Sequence, residues 1–348
     1  MSRLMIDAVG PATSVQDAGR FGAQRYGLPP SGAMDRLGLA MANVVAGNPP
    51  FAAAIEIGPL GATFTARDGD IRIALAGAER VAKIGERAVA PLTSTVIVDG
   101  ATLTLGPART GVFSYLAIEG GMLGEPSFGS FSVNTRAGLG TPFPRSLKAG
   151  DAIPTATATV WNSERRLPPL PSSDAPIRVV MGPQDDEFGA STEVFLNSDW
   201  TVSATSDRMG YRLEGPRVSH AYGHDIVSDG TVTGSIQVPG NGQPIVLMPD
   251  RGTTGGYPKI ATVIGADLGR MSQTPTGHAF RFLAVTVQEA QAAAARFAEQ
   301  IAALGGQLQN ASADGLNLAA LHSANVAGAA ISALDAGAWQ AASEGERP

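Results

Sequence analysis

The chain has 348 residues, of which 43 are glycine, 24 are proline and none is cysteine. Because the glycines follow no three-residue period and lie among many Val, Ile and Leu residues, collagen and wholesale disorder are excluded and a turn-rich β protein is predicted. The missing cysteines exclude disulfides, thiolate zinc sites and cysteine nucleophiles, and the formal net charge of −6 makes nucleic acid or an anionic membrane an unfavourable partner.

Apolar residues at helical spacing predict the first helix at about residues 35–46, with Asp35 as its N-terminal cap. A Gly-Asn-Pro-Pro sequence at 47–50 ends this helix. From there to about residue 160, short apolar or alternating runs are separated by turn residues, which is typical of strands in a sheet or barrel. The strands predicted in this region are 71–75, 95–98, 102–105 and 113–118.

Four prolines within residues 167–176 predict an extended linker, because proline cannot donate to a β ladder. We therefore expect a domain at 1–166, this linker, a second β domain at 177–286 and a helical tail at 287–348. The strands predicted in the second domain are 177–180, 245–248, 260–264 and 280–283. In the tail, Thr286 and Glu289 have the spacing of a capping box, and the helix that follows should end at Gly305 and Gly306. Another helix is predicted at about 316–339.

Several common functional motifs are absent from the sequence. No lysine follows a glycine, which excludes a P-loop, and neither Gly-x-Ser-x-Gly nor His-Glu-x-x-His occurs. His220, His224 and Asp225 could hold a metal if the segment folded back, or they could belong to a solvated loop, which Gly223 favours. No long apolar run marks a signal peptide or a membrane span, so we expect a cytoplasmic protein.

Polar residues embedded among glycines mark two candidate sites for anions. Asp17 and Arg20 could form a carboxylate and guanidinium pair that either fixes its loop or presents Arg20 to an anionic substrate. Arg208 lies in a charged strand-and-turn region, where it could hold a carboxylate or phosphate or form a structural salt bridge.

Two further segments suggest recognition of an amide and of negative charge. Gln237 alternates with apolar residues, and a Pro-Gly-Asn-Gly turn should bring Gln243 back nearby. Both side-chain amides could then hydrogen-bond a urea-like or lactam group. The alternative is an ordinary hairpin with its polar residues outside. Consecutive backbone amides at 254–256 could form an anion-binding nest beside Lys259, one of three lysines in the chain.

These segments contain long and unusual motifs. In chain order they are Ser14-Val15-Gln16-Asp17-x-Gly19-Arg20, Gly32-Ala33-Met34-Asp35, Tyr115-Leu116-Ala117 with Gly120-Gly121, Gly182-Pro183-Gln184, Ser206-Asp207-Arg208-Met209-Gly210-Tyr211-Arg212-Leu213, Gln237-Val238-Pro239-x-x-Gly242-Gln243-Pro244-Ile245-Val246-Leu247 and Thr253-Thr254-Gly255-Gly256-Tyr257-Pro258-Lys259-Ile260-Ala261. Over about residues 3–286 the chain resembles the KipA-like, biotin-dependent-carboxyltransferase-like proteins. This family includes the C subunit of bacterial 5-oxoprolinase, allophanate hydrolase subunit 2 homologues and one half of the carboxyltransferase domain of urea amidolyase.

The resemblance implies a mainly β fold: two cyclophilin-like β-barrel domains with a ligand cleft between or beside them, a short N-terminal helix and C-terminal helices. It implies two partner subunits, one KipI-like and one LamB/YcsF-like, in a complex that uses ATP with Mg to open the lactam of 5-oxoproline. It also adds Gln184, Thr253 and Tyr257 to the expected substrate-binding residues. Where relatives often carry Gly-Ser-Arg-Ser-Thr, this chain has Phe131 in place of the arginine.

Covalent biotin is not expected on this chain. A biotinyl lysine normally lies between methionines, whereas Lys83, Lys148 and Lys259 have other neighbours.

The leading hypothesis is therefore a subunit of an ATP-dependent 5-oxoprolinase, inactive alone, with Lys259 and Asp17 as catalytic residues. The expected substrate-binding residues are Arg20, Gln184, Arg208, Gln237, Gln243, Thr253, Thr254, Gly255, Gly256 and Tyr257. One alternative is a carboxyltransferase subunit that moves a carboxyl group from carboxybiotin on another protein to a urea-like acceptor. Another is a regulatory protein that antagonises a KipI-like partner.

Overall fold

The computed structural model describes residues 1–171 and 173–311. The fold is mainly β, as predicted, and few helices accompany the sheets. None of the helices in the described part combines the length and the apolar character that a bilayer span needs.

The N-terminal half, residues 1–166, contains two sheets and a last strand that belongs to neither of them. Its strands are β1 Ser2–Val9, β2 Ser14–Gln16, β3 Ala54–Ile57, β4 Ala62–Arg67, β5 Ile71–Glu79, β6 Ala82–Ile84, β7 Arg87–Ala88, β8 Ser94–Ile97, β9 Thr102–Leu105, β10 Thr110–Ile118, β11 Ala152–Thr155 and β12 Glu164–Arg166. One sheet has the order β11-β1-β4-β9-β6-β7 and the other β2-β3-β10-β5-β8. Apolar residues from both sheets, such as Leu4, Phe64 and Leu116, form a common core.

The C-terminal half, residues 177–311, centres on an eight-stranded sheet that curves into a nearly closed barrel. The strands of this half are β13 Ile177–Met181, β14 Trp200–Val202, β15 Gly210–Glu214, β16 Asp229–Gly230, β17 Ser235–Gln237, β18 Ile245–Leu247, β19 Thr254–Gly255, β20 Lys259–Val263, β21 Ala279–Phe280, β22 Phe282–Ala284 and β23 Gln309–Ala311. The barrel order is β21-β14-β15-β18-β17-β20-β13-β22, while β16 and β19 form a separate two-stranded ribbon.

The helices in the described residues are α1 Arg36–Val45, α2 Ser191–Asn197, α3 Leu268–Ser272 and α4 Val287–Ala303. Two of them, α1 and α4, lie where the sequence predicts them, whereas the short helices α2 and α3 were not predicted. The cap at Asp35 is confirmed, since its carboxylate accepts from Leu37 N and Gly38 N, and so is the Thr286 and Glu289 capping box of α4. The helix predicted at about 316–339 lies outside the described residues.

The two halves share a hydrophobic core. Helix α1 contributes Leu39 and Val45 to a cluster that also contains Val238 and Ile260 of the C-terminal half. Helix α4 adds Ile301 to the same cluster, and β23 then pairs antiparallel with β12 of the N-terminal half. The residues that follow the barrel therefore pack back against the first half of the chain.

Candidate functional site

Lys259 begins β20 and is buried, with 2% of its surface exposed. Its Nζ donates to Asp229 Oδ2 at 3.0 Å. Its backbone N donates to the Gln184 side-chain oxygen at 3.0 Å, and Gln184 N donates back to Lys259 O at 3.1 Å. The ammonium, a carboxylate and an amide side chain therefore lie at one end of the barrel strand.

Asp229 reaches Lys259 because the β16–β19 ribbon places it there. In this ribbon Asp229 lies opposite Gly255, and Gly230 lies opposite Thr254. Ile226 N donates to Gly256 O at 2.8 Å, and Thr231 N donates to Thr253 O at 3.1 Å, which extends the pairing on both sides. The carbonyl oxygens of Thr253 and Gly256 thus hold the ribbon; they are not the amide groups of 254–256 that the sequence suggested for anion binding.

Gln237 completes this group of residues. It is the cross-strand partner of Lys259, and its side-chain nitrogen lies 3.5 Å from Tyr257 O. Its amide also lies directly against Gly255, where an added Cβ would collide with it. Glycine is therefore required at 255 if the amide is to stay where it is. We call Gln184, Asp229, Gln237, Thr254, Gly255 and Lys259 the Lys259 cluster.

The electrostatics of the cluster favour an ionised carboxylate beside the ammonium. The hydrogen bond from Lys259 lowers the pKa of Asp229, and the backbone N–H of Gly230 acts in the same direction. A buried ammonium next to an uncharged amide can stabilise negative charge that develops on a carbonyl oxygen, while the amide offers both a donor and an acceptor edge.

Arg208 lies elsewhere, at the boundary between the two halves. Its guanidinium donates to Glu56 Oε1 at 2.5 Å, to Asp250 Oδ2 at 2.8 Å and to Gly32 O at 2.8 Å. Glu56 also accepts from Tyr115 Oη at 2.8 Å. Burial raises the pKa of the Glu56 carboxyl, and Arg208 opposes this effect. The side chain of Arg208 is thus engaged by protein acceptors on three sides.

Asp17 and Arg20 lie in a third place, on the loop before α1. Asp17 accepts from Ser130 Oγ at 2.7 Å and Ser132 Oγ at 2.5 Å, while Arg20 donates to Ser132 O at 2.6 Å and Ser127 O at 3.3 Å. Among the ion pairs of the described residues there is none between Asp17 and Arg20. Burial lowers the pKa of Arg20. Both side chains fix the loop to the segment around residue 130.

Gln243 is not brought to the Lys259 cluster by its turn. Its side-chain nitrogen donates to Gly215 O at 3.2 Å, and its backbone N donates to Asn241 Oδ1 at 3.0 Å. The structure therefore gathers Gln184, Gln237, Lys259 and the 253–257 loop, and places Arg208, Gln243 and the Asp17 loop at separate positions.

A cavity of about 450 Å³ lies between the two halves. Ser14, Phe113 and Asn134 line it from the N-terminal half, and Arg208 and Tyr211 line it from the C-terminal half. Its size suits a small molecule. None of the Lys259 cluster lines it, so this cavity and the Lys259 cluster are separate candidate locations for a ligand.

Sequence reasoning missed two acidic residues that matter here. Glu56 could have been recognised from the sequence, because it is the single carboxylate in the apolar run 52–57. If that run is a buried strand, the carboxylate must be paired with another polar group. The sequence around Asp229 is less informative, since Ser-Asp-Gly is typical of any turn. Nothing local connects Asp229 to a lysine thirty residues later.

The histidine segment offers no metal centre within the part of the chain that the structure covers, where no three His, Cys, Asp or Glu side chains converge. His220 Nε2 lies 2.9 Å from Val238 O, and His224 Nε2 lies 3.3 Å from Asp225 Oδ2 with both side chains largely exposed.

Comparison with known proteins assigns the fold to a family. The carboxyltransferase domain family, subdomains A and B, matches residues 26–284. The chain belongs to this family. The C subunit of 5-oxoprolinase from Escherichia coli K12 is 38% identical over 303 residues, covering 86% of this chain and 97% of that protein. The C subunit of 5-oxoprolinase from Haemophilus influenzae is 36% identical over 287 residues, covering 82% and 92%.

A solved structure shares the same fold. The urea amidolyase of Kluyveromyces lactis matches with a TM-score of 0.80 and 27% identity, covering 89% of this chain. The match covers only 20% of that much longer protein.

Proposed function

We propose that this chain is the C subunit of an ATP-dependent 5-oxoprolinase, which hydrolyses 5-oxoproline to glutamate in the cytoplasm together with KipI-like and LamB/YcsF-like subunits. The observation that carries the proposal is coverage: the match spans 97% of the E. coli 5-oxoprolinase subunit but 20% of the urea amidolyase. A match to nearly the whole of a separate subunit supports a subunit role more than a role as one domain of a larger enzyme.

The Lys259 cluster supplies chemistry that fits this substrate class. Hydrolysis of a lactam breaks its C–N bond after water adds to the carbonyl carbon, and negative charge develops on the carbonyl oxygen. The Lys259 ammonium would stabilise that charge. The Gln237 amide, held against Gly255, would bind the complementary edge of the lactam.

ATP with Mg belongs to the assembled complex in this proposal, where it activates the unreactive carbonyl. The Lys259 cluster does not fit a magnesium nucleotide by itself, because it offers one carboxylate, Asp229, and one ammonium. Within residues 1–171 and 173–311 no larger set of metal-binding side chains is close together. We therefore assign no phosphate-transfer step to this chain.

The test is reconstitution of the three subunits with Lys259→Ala, followed by measurement of ATP-dependent glutamate release. Loss of one donor to a developing oxyanion should reduce turnover by about a hundredfold. Lys148→Ala is the matched control, since Lys148 is exposed and should retain full turnover. Wild-type turnover by Lys259→Ala would contradict the role of this residue. Absence of ATP-dependent glutamate release in the wild-type complex would contradict the proposed activity.

Carboxyl transfer to a urea-like acceptor is the second candidate, and the fold shared with urea amidolyase favours it. It requires that the chain bind the biotin ring of a separate carrier protein. Calorimetry with free biotin and capture of the chain by a biotinylated carrier would detect this. We expect neither; saturable binding in both experiments would favour carboxyl transfer over lactam hydrolysis.

A further inference from the structure

The cavity between the two halves has no part in the proposed function, because none of the Lys259 cluster lines it. Phe113 and Val133 line it from the N-terminal half, and Tyr211 lines it from the C-terminal half. The Tyr211 hydroxyl already donates to Ser272 O at 2.8 Å, so this residue offers the cavity its ring. Aromatic rings on both walls favour a ligand with a flat apolar body.

Two buried polar side chains of the N-terminal wall have donors left for a ligand. Ser14 and Asn134 line the cavity and are 4% and 3% exposed. Ser14 Oγ accepts from the Gln16 side-chain nitrogen at 2.9 Å, which leaves the Ser14 O–H to donate. Asn134 Nδ2 gives one of its two N–H groups to Ser31 Oγ at 3.1 Å, and Asn134 Oδ1 accepts from Ala137 N at 2.9 Å. Because buried polar groups are nearly always hydrogen-bonded, an acceptor is expected at this wall.

Arg136 adds a positive charge to the same wall. It lies in a short hairpin that Asn134 and Leu139 close by bonding to each other, and its exposed side chain lines the cavity. None of the ion pairs among the described residues includes Arg136. A guanidinium binds a carboxylate through two parallel hydrogen bonds. The N-terminal wall therefore favours a carboxylate.

The charged residues of the C-terminal wall direct an anion away from that wall. Arg208 lines the cavity, but both oxygens of Asp250 accept from it, at 2.8 Å and 3.2 Å. Asp207 also lines the cavity, its side chain is exposed, and its Oδ1 accepts from Met209 N at 2.8 Å. Because like charges repel, a carboxylate ligand is oriented with its charge away from Asp207 and towards Arg136.

We propose that this cavity is a second ligand site, for a small carboxylic acid with a flat apolar body. Arg136, Ser14 and Asn134 bind the carboxylate, and the rings of Phe113 and Tyr211 pack against the body. The cavity volume of about 450 Å³ lies within the range of small-molecule sites. The site does not depend on the proposed function, since no residue of the Lys259 cluster takes part in it.

The test is calorimetry of the full chain with naphthylacetate as the probe and its neutral amide, naphthylacetamide, as the matched ligand. We expect saturable binding of the acid, with one molecule per chain, and affinity for the amide lower by roughly tenfold because it offers no charge to Arg136. Arg136→Ala should weaken binding of the acid by about the same factor and leave the amide unaffected. Arg67→Ala is the control, because Arg67 is exposed and does not line the cavity.

Two variants of the C-terminal wall provide independent measurements. Ala204 is exposed and lines the cavity, so Ala204→Phe should fill part of the cavity without disturbing the core, and both ligands should lose affinity. Asp207→Asn removes the carboxylate that repels the acid and keeps the oxygen that accepts from Met209 N. It should tighten binding of the acid and leave binding of the amide unchanged.

Absence of saturable binding of the acid, or binding that survives both Arg136→Ala and Ala204→Phe, would overturn the proposal. Lys259→Ala should keep full affinity for the acid. Loss of binding in Lys259→Ala but not in Arg136→Ala would place the acid at the Lys259 cluster and would also overturn it. Glutamate release by the reconstituted complex is a separate measurement, so its absence would contradict the proposed function and leave this site standing.

Discussion

Two cations of this protein, the partly buried Arg208 and the buried Lys259, differ in how many of their N–H donors are hydrogen-bonded. Arg208 binds two carboxylates and a backbone carbonyl, so its guanidinium joins parts of the fold that are distant in sequence. Lys259 has three N–H donors and, in the described residues, a hydrogen bond from Nζ to Asp229. The lysine therefore has donors left for a ligand, whereas Arg208 has the surroundings of a structural residue.

Arg208→Ala should destabilise the fold strongly. The substitution leaves the fully buried Glu56 carboxylate without its cation, and removal of one partner of a buried pair typically costs about 3–5 kcal/mol. Urea denaturation of the isolated chain measures the loss. The double variant Arg208→Ala with Glu56→Gln should lose less than the sum of the two single variants. Additive losses would show that the two side chains are not coupled.

Gly255→Ala should reduce activity more than stability. A Cβ at 255 would meet the Gln237 side chain, which must move away from the ribbon. A displacement of about 1 Å in a substrate-binding group can reduce turnover by roughly a hundredfold. Gly230→Ala, on the opposite strand, is the control, because nothing lies within 4 Å of its added Cβ. Equal turnover of the two variants in the reconstituted complex would argue against a role for Gln237.

At the scale of single elements, α1 is the helix on which both halves converge. Its cap, Asp35, accepts from Leu37 N and Gly38 N and from the Gln273 side chain at 3.0 Å. The backbone N of Asp35 donates to Tyr115 Oη at 2.7 Å. The start of the helix is thus fixed by a residue from each half. The capping role predicted from the sequence is confirmed, whereas the bond to Gln273 could not be foreseen.

Asp35→Ala should lower the free energy of unfolding by about 1 kcal/mol, the usual cost of losing an N-cap. Asp35→Asn keeps an oxygen that can accept from the first turn of α1, so it should retain most of the stability. Thermal and urea denaturation of the two variants provide the comparison. Equal losses would mean that the charge of Asp35, and not its capping geometry, determines the effect.

At the scale of the whole molecule, the two halves share a core and are joined by polar contacts. Gln273 accepts from Val112 N at 2.8 Å and Phe113 N at 2.9 Å, and it donates to Phe113 O at 2.8 Å. Helix α1 belongs to the core that also contains barrel residues such as Ile260. Neither half can lose its structure without exposing apolar surface of the other.

The two halves should therefore unfold in one transition. Trp161 lies in the N-terminal half and Trp200 in the C-terminal half, so variants that keep only one of them, with Trp339 also replaced by Phe, report on each half separately. Their fluorescence midpoints in urea should coincide with the midpoint from far-ultraviolet circular dichroism. Two separate midpoints would show that the shared core does not couple the halves.

Local sequence patterns are sufficient to predict the secondary structure of much of the chain. Apolar periodicity, turn residues and caps depend on neighbours a few positions away, which is why α1, the capping box of α4 and strands such as β5 and β9 were predictable. The motifs around Gln237 and Lys259 also predicted the family, because long specific motifs need no knowledge of packing.

The contacts between polar residues, in contrast, depend on how distant segments of the chain pack together. Glu56 and Arg208 are 152 positions apart, Asp229 and Lys259 are 30 apart, and Gln243 turns away from Gln237 towards Gly215. Such pairings follow from strand order and register, which bring distant segments together without leaving a local pattern in the sequence. For the same reason Lys259 could be selected from its loop, whereas the carboxylate that accepts its hydrogen bond could not.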